Sequence, residues 1–529
     1  MINLHNAQIL GADSFSKIAE AMAVQEGTII ALGKNEDVLS LNNLNTSLIN
    51  MHGKTILPGL TDSHIHLQHL GKSLTMVNCE TNSIQECYFR IVEKVKTTKP
   101  GEWILGHGWN QNLWSGGFED IDLLNQISSK HPIYLTAKSL HASWANTKAL
   151  EIAGINHSTV DPVDGLIGRN QDGSPNGLLL ENAMGLVDDF VPPIKGQKLV
   201  DVLNHTQREL WKAGITAVHD FDGADCFSAL QELDAQDKLR IRTIKSIPLS
   251  NLETAIQTGL RSGFGSDYLR IGSVKLFADG ALGTQTAAML KSYENDIDNF
   301  GILMLTKDEI TQYGKIATQN GLSLAIHAIG DKANREVIDA YIQIRNYERD
   351  NRLPILNHRI EHIQVLANDD IERLAKNHII ASMQPIHLIS DMDTADRFWG
   401  TRSKYAYAFN SLLQAGSRLI FGSDSPVESF NPFYGIYAAL TRQKFDQTPK
   451  TGWFPEEKLA LEKILSAYTI NPAVASCWDK KIGSLDIGKK ADLIVLPVNP
   501  FEISPNEIRD LMPDATMVSG QWVWQGNEF

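Results

Sequence analysis

Between residues 215 and 424, short apolar runs alternate with longer stretches in which apolar residues return every third or fourth position. The first pattern is that of buried strands and the second that of amphipathic helices. Counting from residue 55, eight strands are predicted, at 55–66, 215–220, 241–247, 269–277, 322–328, 357–363, 379–385 and 418–424. Helices are predicted between most of them, among others at 199–213, 307–320, 333–345, 369–376 and 403–415. Eight alternations of strand and helix predict an α/β fold of the (β/α)8 TIM-type barrel kind.

The two ends of the chain read differently. Residues 1–55 hold short apolar or alternating runs broken by Gly, Asn and Asp, and residues 480–529 hold a matching β-rich segment. Either is too small to be stable alone, so one small β-sandwich built from both termini is expected. The barrel then occupies 56–479. The gap between its first and second strands, residues 70–198, is a long insertion. An insertion after a barrel strand belongs to the face where βα-loops build the pocket. Its tryptophan-rich patches, Trp109 among them, suit a hydrophobic substrate cavity or, equally, a small core of their own.

Composition narrows the function classes. The formal charge of −14 argues against a nucleic-acid or anionic-membrane partner, leaving a small-molecule substrate and, for assembly, a homodimer to consider. The four cysteines, Cys79, Cys87, Cys226 and Cys477, are scattered and form no C-x-x-C, which fits a reducing compartment and no structural zinc cage. The first ten residues lack the features of a signal peptide, and no apolar stretch approaches the roughly 20 residues that span a bilayer. A cytoplasmic protein is expected.

The chemistry sits at strand ends. In Pro58-Gly-Leu-Thr-Asp-Ser-His64-Ile-His66, the i, i+2 spacing puts both imidazoles on one face. Lys275 lies near the end of the fourth predicted strand, His327 ends the fifth, His362 the sixth and Asp424 the eighth. All fall at the C-terminal ends of strands, where barrel active sites are built. Each alone has an ordinary explanation; six at one end of five strands do not. Asp62, Asp279, Asp331 and Glu361 are candidates to orient the histidines from behind.

The first motif, the strand-end histidines, Gly422-Ser-Asp-Ser-Pro426 and Gly483-Ser-Leu-Asp-Ile-Gly-Lys-Lys-Ala-Asp-Leu-Ile-Val-Leu496 resemble the amidohydrolase superfamily. The insertion, residues 275–284, Met383-Gln-Pro-Ile-His387 and Gly400-Thr-Arg402 resemble its family 3 branch, the group containing N-substituted formamide deformylase. The resemblance implies a first metal on His64, His66 and Asp424, a second on His327 and His362, and a bridge from Lys275 carbamylated by carbon dioxide. Two zinc ions are implied, with nickel, iron, cobalt or manganese as alternatives. It further implies a metal-bridged hydroxide attacking a non-peptide amide, an N-substituted formamide or N-acyl amine, with Asp424 as proton shuttle. Substrate contacts expected from the resemblance and from position are Trp109, His141, Arg169, His219 and His387, with Glu181 a weaker metal or substrate contact. A mononuclear deaminase of a cyclic amine or imine is the alternative if Lys275 stays unmodified. A non-catalytic scaffold would have lost ligands, and none of the six is missing.

Overall fold

The computed structural model describes residues 1–11, 15–109, 114, 121–137, 142–294, 296–527 and 529. They form two compact units, one of residues 1–69 and 203–529, the other of residues 70–202.

In the first unit eight parallel strands follow one another in chain order: β1 (Leu60–Ile65), β2 (Ile215–Asp220), β3 (Arg242–Pro248), β4 (Leu269–Phe277), β5 (Leu324–Ala328), β6 (Arg359–His362), β7 (Ile380–Met383) and β8 (Leu419–Phe421). Every residue of β1, β2, β6, β7 and β8 is buried, as expected of a parallel sheet covered on its outer side and filled within. Helices return the chain between most strands, as at Ala224–Ala235, Lys307–Gln319, Asp331–Asp350 and Phe409–Gln414. Lys307–Gln319 starts with a capping box between Thr306 and Glu309. The architecture is the anticipated TIM-type barrel.

The barrel closes in an unusual place. The edges of β1 and β8 are joined beyond the end of β8: Asp424 donates its backbone N–H to His64 O (2.7 Å), and His66 donates to Ser425 O (3.0 Å). Asp62 staples the same seam, its carboxylate accepting from His64 N, Ser423 N and Ser423 Oγ. A Cβ on Gly422 would stand 2.4 Å from His64 N, so only glycine fits there.

One predicted strand divides. Residues 55–66 break at Gly59 into Thr55–Pro58, which pairs with Gln8–Leu10 and Leu493–Leu496, and barrel strand β1. The break follows from a close approach, since a Cβ on Gly59 would lie 2.3 Å from Thr216 Oγ1. Thr55–Pro58 thus belongs to a six-stranded sheet that also contains Ala515–Val518 and Gln521–Gln525. A four-stranded sheet of Thr28–Gly33, Ala21–Gln25, Ile2–His5 and Ser47–Asn50 shares a core with it. That core joins Leu4, Met22 and Ile29 to Leu493, Val495 and Met517. A buried ion pair fastens this layer to the barrel: Arg242, on β3, holds Asp492 by two contacts of 2.5 and 3.0 Å and also donates to Ser519. The helix predicted at 403–415 also divides, into a 3-10 segment Gly400–Tyr405 and the helix Phe409–Gln414.

The second unit has its own six-stranded sheet, in the order Gly165–Arg169, Pro175–Glu181, Ala142–Ala145, Ile133–Ala137, Ile104–Trp109, Val77–Asn78. Helix Ile84–Thr97, capped by Ser83, packs its Ile84, Cys87 and Ile91 into the core under that sheet. No helix among the described residues is long and apolar enough to cross a membrane.

Candidate metal centre

The strand ends of the barrel gather the predicted ligands, and their hydrogen bonds decide which ring atoms are left over. His64, at 1% exposure, holds Glu361 Oε2 through Nδ1 at 2.7 Å, so its Nε2 turns toward Asp424 Oδ1 at 3.5 Å. His66 holds Asp222 Oδ1 through Nδ1 at 3.1 Å, and its Nε2 lies 3.3 Å from the same Asp424 Oδ1. His362, on β6, uses Nδ1 on Gln384 Oε1 at 2.9 Å. His327, on β5, uses Nε2 on Gly280 O at 3.0 Å, which leaves Nδ1. His64, His362 and His327 therefore each have one nitrogen committed and one available, the arrangement that orients histidine ligands, while both nitrogens of His66 face carboxylates, Nδ1 on Asp222 and Nε2 on Asp424. Ligand atoms of His64, His362 and Asp424 lie within 4.8 Å of one another. The rings of His362 and His64 are centred 4.8 Å apart, and those of His362 and His327 4.5 Å apart.

Lys275 completes the group. Its Nζ is buried without a hydrogen-bond partner among the described residues and rests over the rings of Phe221 (4.4 Å) and Phe277 (5.0 Å). A buried ammonium left without a partner is costly, and here burial brings the pKa down to about 8. The amine is thus neutral in a sizeable fraction near physiological pH. Burial also holds His64 and His362 well below the usual imidazole range and brings His327 down to about 4, so all three are neutral and fit to bind a cation. At His66 burial pulls the same way, but the hydrogen bonds to Asp222 and Asp424 outweigh it and lift the ring to about 9. At Asp424 burial favours the neutral acid, and the surrounding imidazoles overcome it, keeping the carboxyl well below its ordinary range. Three neutral imidazoles, the His66 ring held between two carboxylates, an ionised Asp424 and a buried amine without a hydrogen-bond partner among the described residues make a donor set that fits divalent metal.

The supporting residues are mixed between those expected and those not. Glu361 orients His64 and is itself held by Arg359 at 2.5 Å. Asp279 accepts from Ala288, Ile329 and Gly330 N–H groups and stands 3.6 Å from His327 Nε2. Asp331 accepts from Leu290 N–H and anchors that loop. Asp222 and Gln384 were not singled out from the sequence. Asp222 accepts from both His66 and His69 and from the backbone of Gln68. Asp222→Asn is expected to weaken metal binding about 10- to 100-fold. Competition with a chromophoric chelator measures it; unchanged affinity would leave Asp222 a loop anchor.

The expected substrate contacts separate. His387 lies at the centre, its Nε2 3.8 Å from Asp424 Oδ2. The Nδ1 of His219 accepts from Arg359 (2.6 Å), and with Ser246, Ser273, Ser323 and Asn357 His219 lines a cavity of ≈ 130 Å³. In the second unit, Trp109 is a core residue, 1% exposed, stacked on Trp114 and donating its indole N–H to Leu135 O. Arg169 clasps the carbonyls of Thr159 and Gly173 and serves its own hairpin. Glu181 is exposed at the end of its strand. His141 lies outside the described residues.

The comparisons agree with this geometry. Residues 47–524 match the model of the amidohydrolase family. The protein LONG AFTER FAR-RED 3 of Arabidopsis thaliana is 34% identical, over 94% of this chain and 87% of its own length. N-substituted formamide deformylase of Arthrobacter pascens is 27% identical, over 97% of this chain and 96% of its own. The crystal structure of an uncharacterised metal-dependent hydrolase from Pyrococcus furiosus, 26% identical, superposes with a TM-score of 0.77 over 94% of this chain and 99% of that one. With the strand-end ligands in place and the family matched along nearly its whole length, the chain belongs to the amidohydrolase family and is a metal-dependent hydrolase of carbon–nitrogen bonds.

Proposed function

We propose that the protein cleaves the C–N bond of a non-peptide amide, an N-substituted formamide or N-acyl amine, at a centre of two divalent metals bridged by carbamylated Lys275. The observation that carries the reading is Lys275: a buried amine without a hydrogen-bond partner among the described residues, beside three histidines that each keep one nitrogen free. Similarity to N-substituted formamide deformylase supports the substrate class. His64, His66 and Asp424 would hold one metal and His327 and His362 the other, with zinc the first candidate. Two such cations, when bound, polarise a substrate carbonyl and acidify water.

The chain's own residues do the rest. Neutral Lys275 Nζ bonds to the carbon of carbon dioxide and loses a proton, turning an amine into a carboxylate-like bridge. Asp424 divides its carboxylate: Oδ1 faces His64 and His66, while Oδ2 stands apart from them, toward His387. Oδ2 takes the proton of the attacking water and passes it to the departing nitrogen, because an amine anion is a very poor leaving group. Glu361, Asp222 and Gln384 keep the ligand rings in register throughout.

The test is elemental analysis of protein prepared with bicarbonate and zinc and without chelator, followed by a screen of formamides and N-acyl amines. About two metals per chain, with release of acid and amine, is the expected result. One metal per chain would remove the bridging role of Lys275, and loaded protein that cleaves no amide would remove the substrate class.

A further inference from the structure

At the turn after β7 stand two polar side-chain atoms that are buried with no hydrogen-bond partner among the described residues. Gln384 gives its Oε1 to His362, and its Nε2 is buried without a hydrogen bond. His387, three residues on, is 8% exposed, and its Nε2 is likewise buried without a hydrogen bond. Buried side-chain donors normally find acceptors, so an orphan beside a reaction centre marks a place where something else binds.

The separation from Asp424 is informative. His387 Nε2 and Asp424 Oδ2 are 3.8 Å apart, beyond hydrogen-bond length. The gap still lets one amide group touch both. A carboxylate facing an imidazole favours the tautomer with the proton on the facing nitrogen, so His387 presents Nε2–H to this gap. Asp424 Oδ2 is an acceptor and later an acid; His387 Nε2–H is a donor. The two ends of a scissile amide need those two properties: the nitrogen leaves with a proton, and the carbonyl oxygen gains negative charge.

We infer that His387 is a catalytic residue that donates Nε2–H to the carbonyl oxygen of the scissile amide, while Asp424 Oδ2 serves its nitrogen. The inference rests on the amide-hydrolase reading above and adds a protein donor to the carbonyl site. Such a donor acts mainly as charge develops, so its loss falls on kcat rather than on KM.

The experiment compares wild type with His387→Phe and His387→Gln, each loaded with zinc and bicarbonate and assayed for metal content and amide hydrolysis. Phe keeps a ring of similar size without a donor; Gln keeps a donor. Expected are unchanged metal content, a kcat lower by about 100- to 1,000-fold in the Phe variant with KM moved by no more than roughly threefold, and partial recovery in the Gln variant. Should the Phe variant fail to fold, His387→Met takes its place as the donor-free ring deletion. A donor-free variant with both metals and near-normal kcat would overturn the inference while the amide-hydrolase reading stood. A drop shared equally by the Phe and Gln variants, with metal lost or KM raised, would make His387 a structural residue. If wild type itself cleaved no amide, the reading would fall, and this role with it.

Discussion

Asp424→Asn is expected to lower kcat by roughly 10³-fold and to leave a folded chain. The size follows from the two duties of the side chain. Oδ1 lies against His64 and His66, and Oδ2 is the proton carrier of the proposed reaction. An amide side chain can still offer one oxygen as a ligand, but it neither accepts the proton of water nor hands one to a leaving amine. The change is mild for the backbone. Asp424 sits at φ 60°, in the left-handed region, where Asn is among the few residues tolerated without glycine's freedom. Turnover, bound metal and melting temperature measured side by side separate the two duties. Near-normal kcat would take the shuttle away from Asp424; lost metal with lost rate would make it chiefly a ligand.

Lys275→Ala is expected to lower bound metal and activity together. The side chain has nothing else to do in the fold: its Nζ makes no hydrogen bond among the described residues, and its neighbours are the rings of Phe221 and Phe277. Removing it leaves a small apolar gap of modest cost, whereas the charge joining two cations disappears. The same lysine gives a pH signature. Its burial favours the neutral amine, with a pKa of about 8, and only that form combines with carbon dioxide. Metal-free protein exposed to labelled bicarbonate should therefore take up label more readily as pH rises through about 8. The measurement is mass spectrometry or carbon NMR of the wild type, with Lys275→Ala as the blank. Equal uptake by both proteins, or full metal content without the lysine, would dismiss the bridge.

The sequence made the barrel and the cluster of strand-end polar residues legible for one reason: both are written in runs. Eight apolar segments of strand length, most ending on His, Lys or Asp, carry the fold and the chemistry together. The orienting residues are not written that way. Asp222 meets His66 across 156 residues and lies in the loop after β2, where an aspartate reads as a turn former. Gln384 meets His362 from the next strand, and a glutamine has no periodic signature. His219, one residue from a strand end, reads as a pocket residue, and the partner it takes, Arg359, lies 140 residues away where no local pattern marks it. Trp109 shows the limit of composition, because a tryptophan beside glycines suits a cavity wall or a core equally until its indole N–H has found a carbonyl. The division of residues 55–66 at Gly59 depends on Thr216, far away in the chain, and no local pattern marks it.

The seam between β1 and β8 has an evolutionary meaning. Closure is done by the main chain of Asp424, His64, His66 and Ser425, while the proposed chemistry belongs to the side chains of Asp424, His64 and His66. A peptide N–H is common to every residue but proline, so a side-chain exchange that keeps the local backbone conformation, left-handed at Asp424, leaves these closing bonds in place. Inheritance of the scaffold and divergence of the reaction are thereby uncoupled at the very positions where they would be expected to collide. A lineage can retune what the centre attacks through these side chains, and the ring that holds them persists.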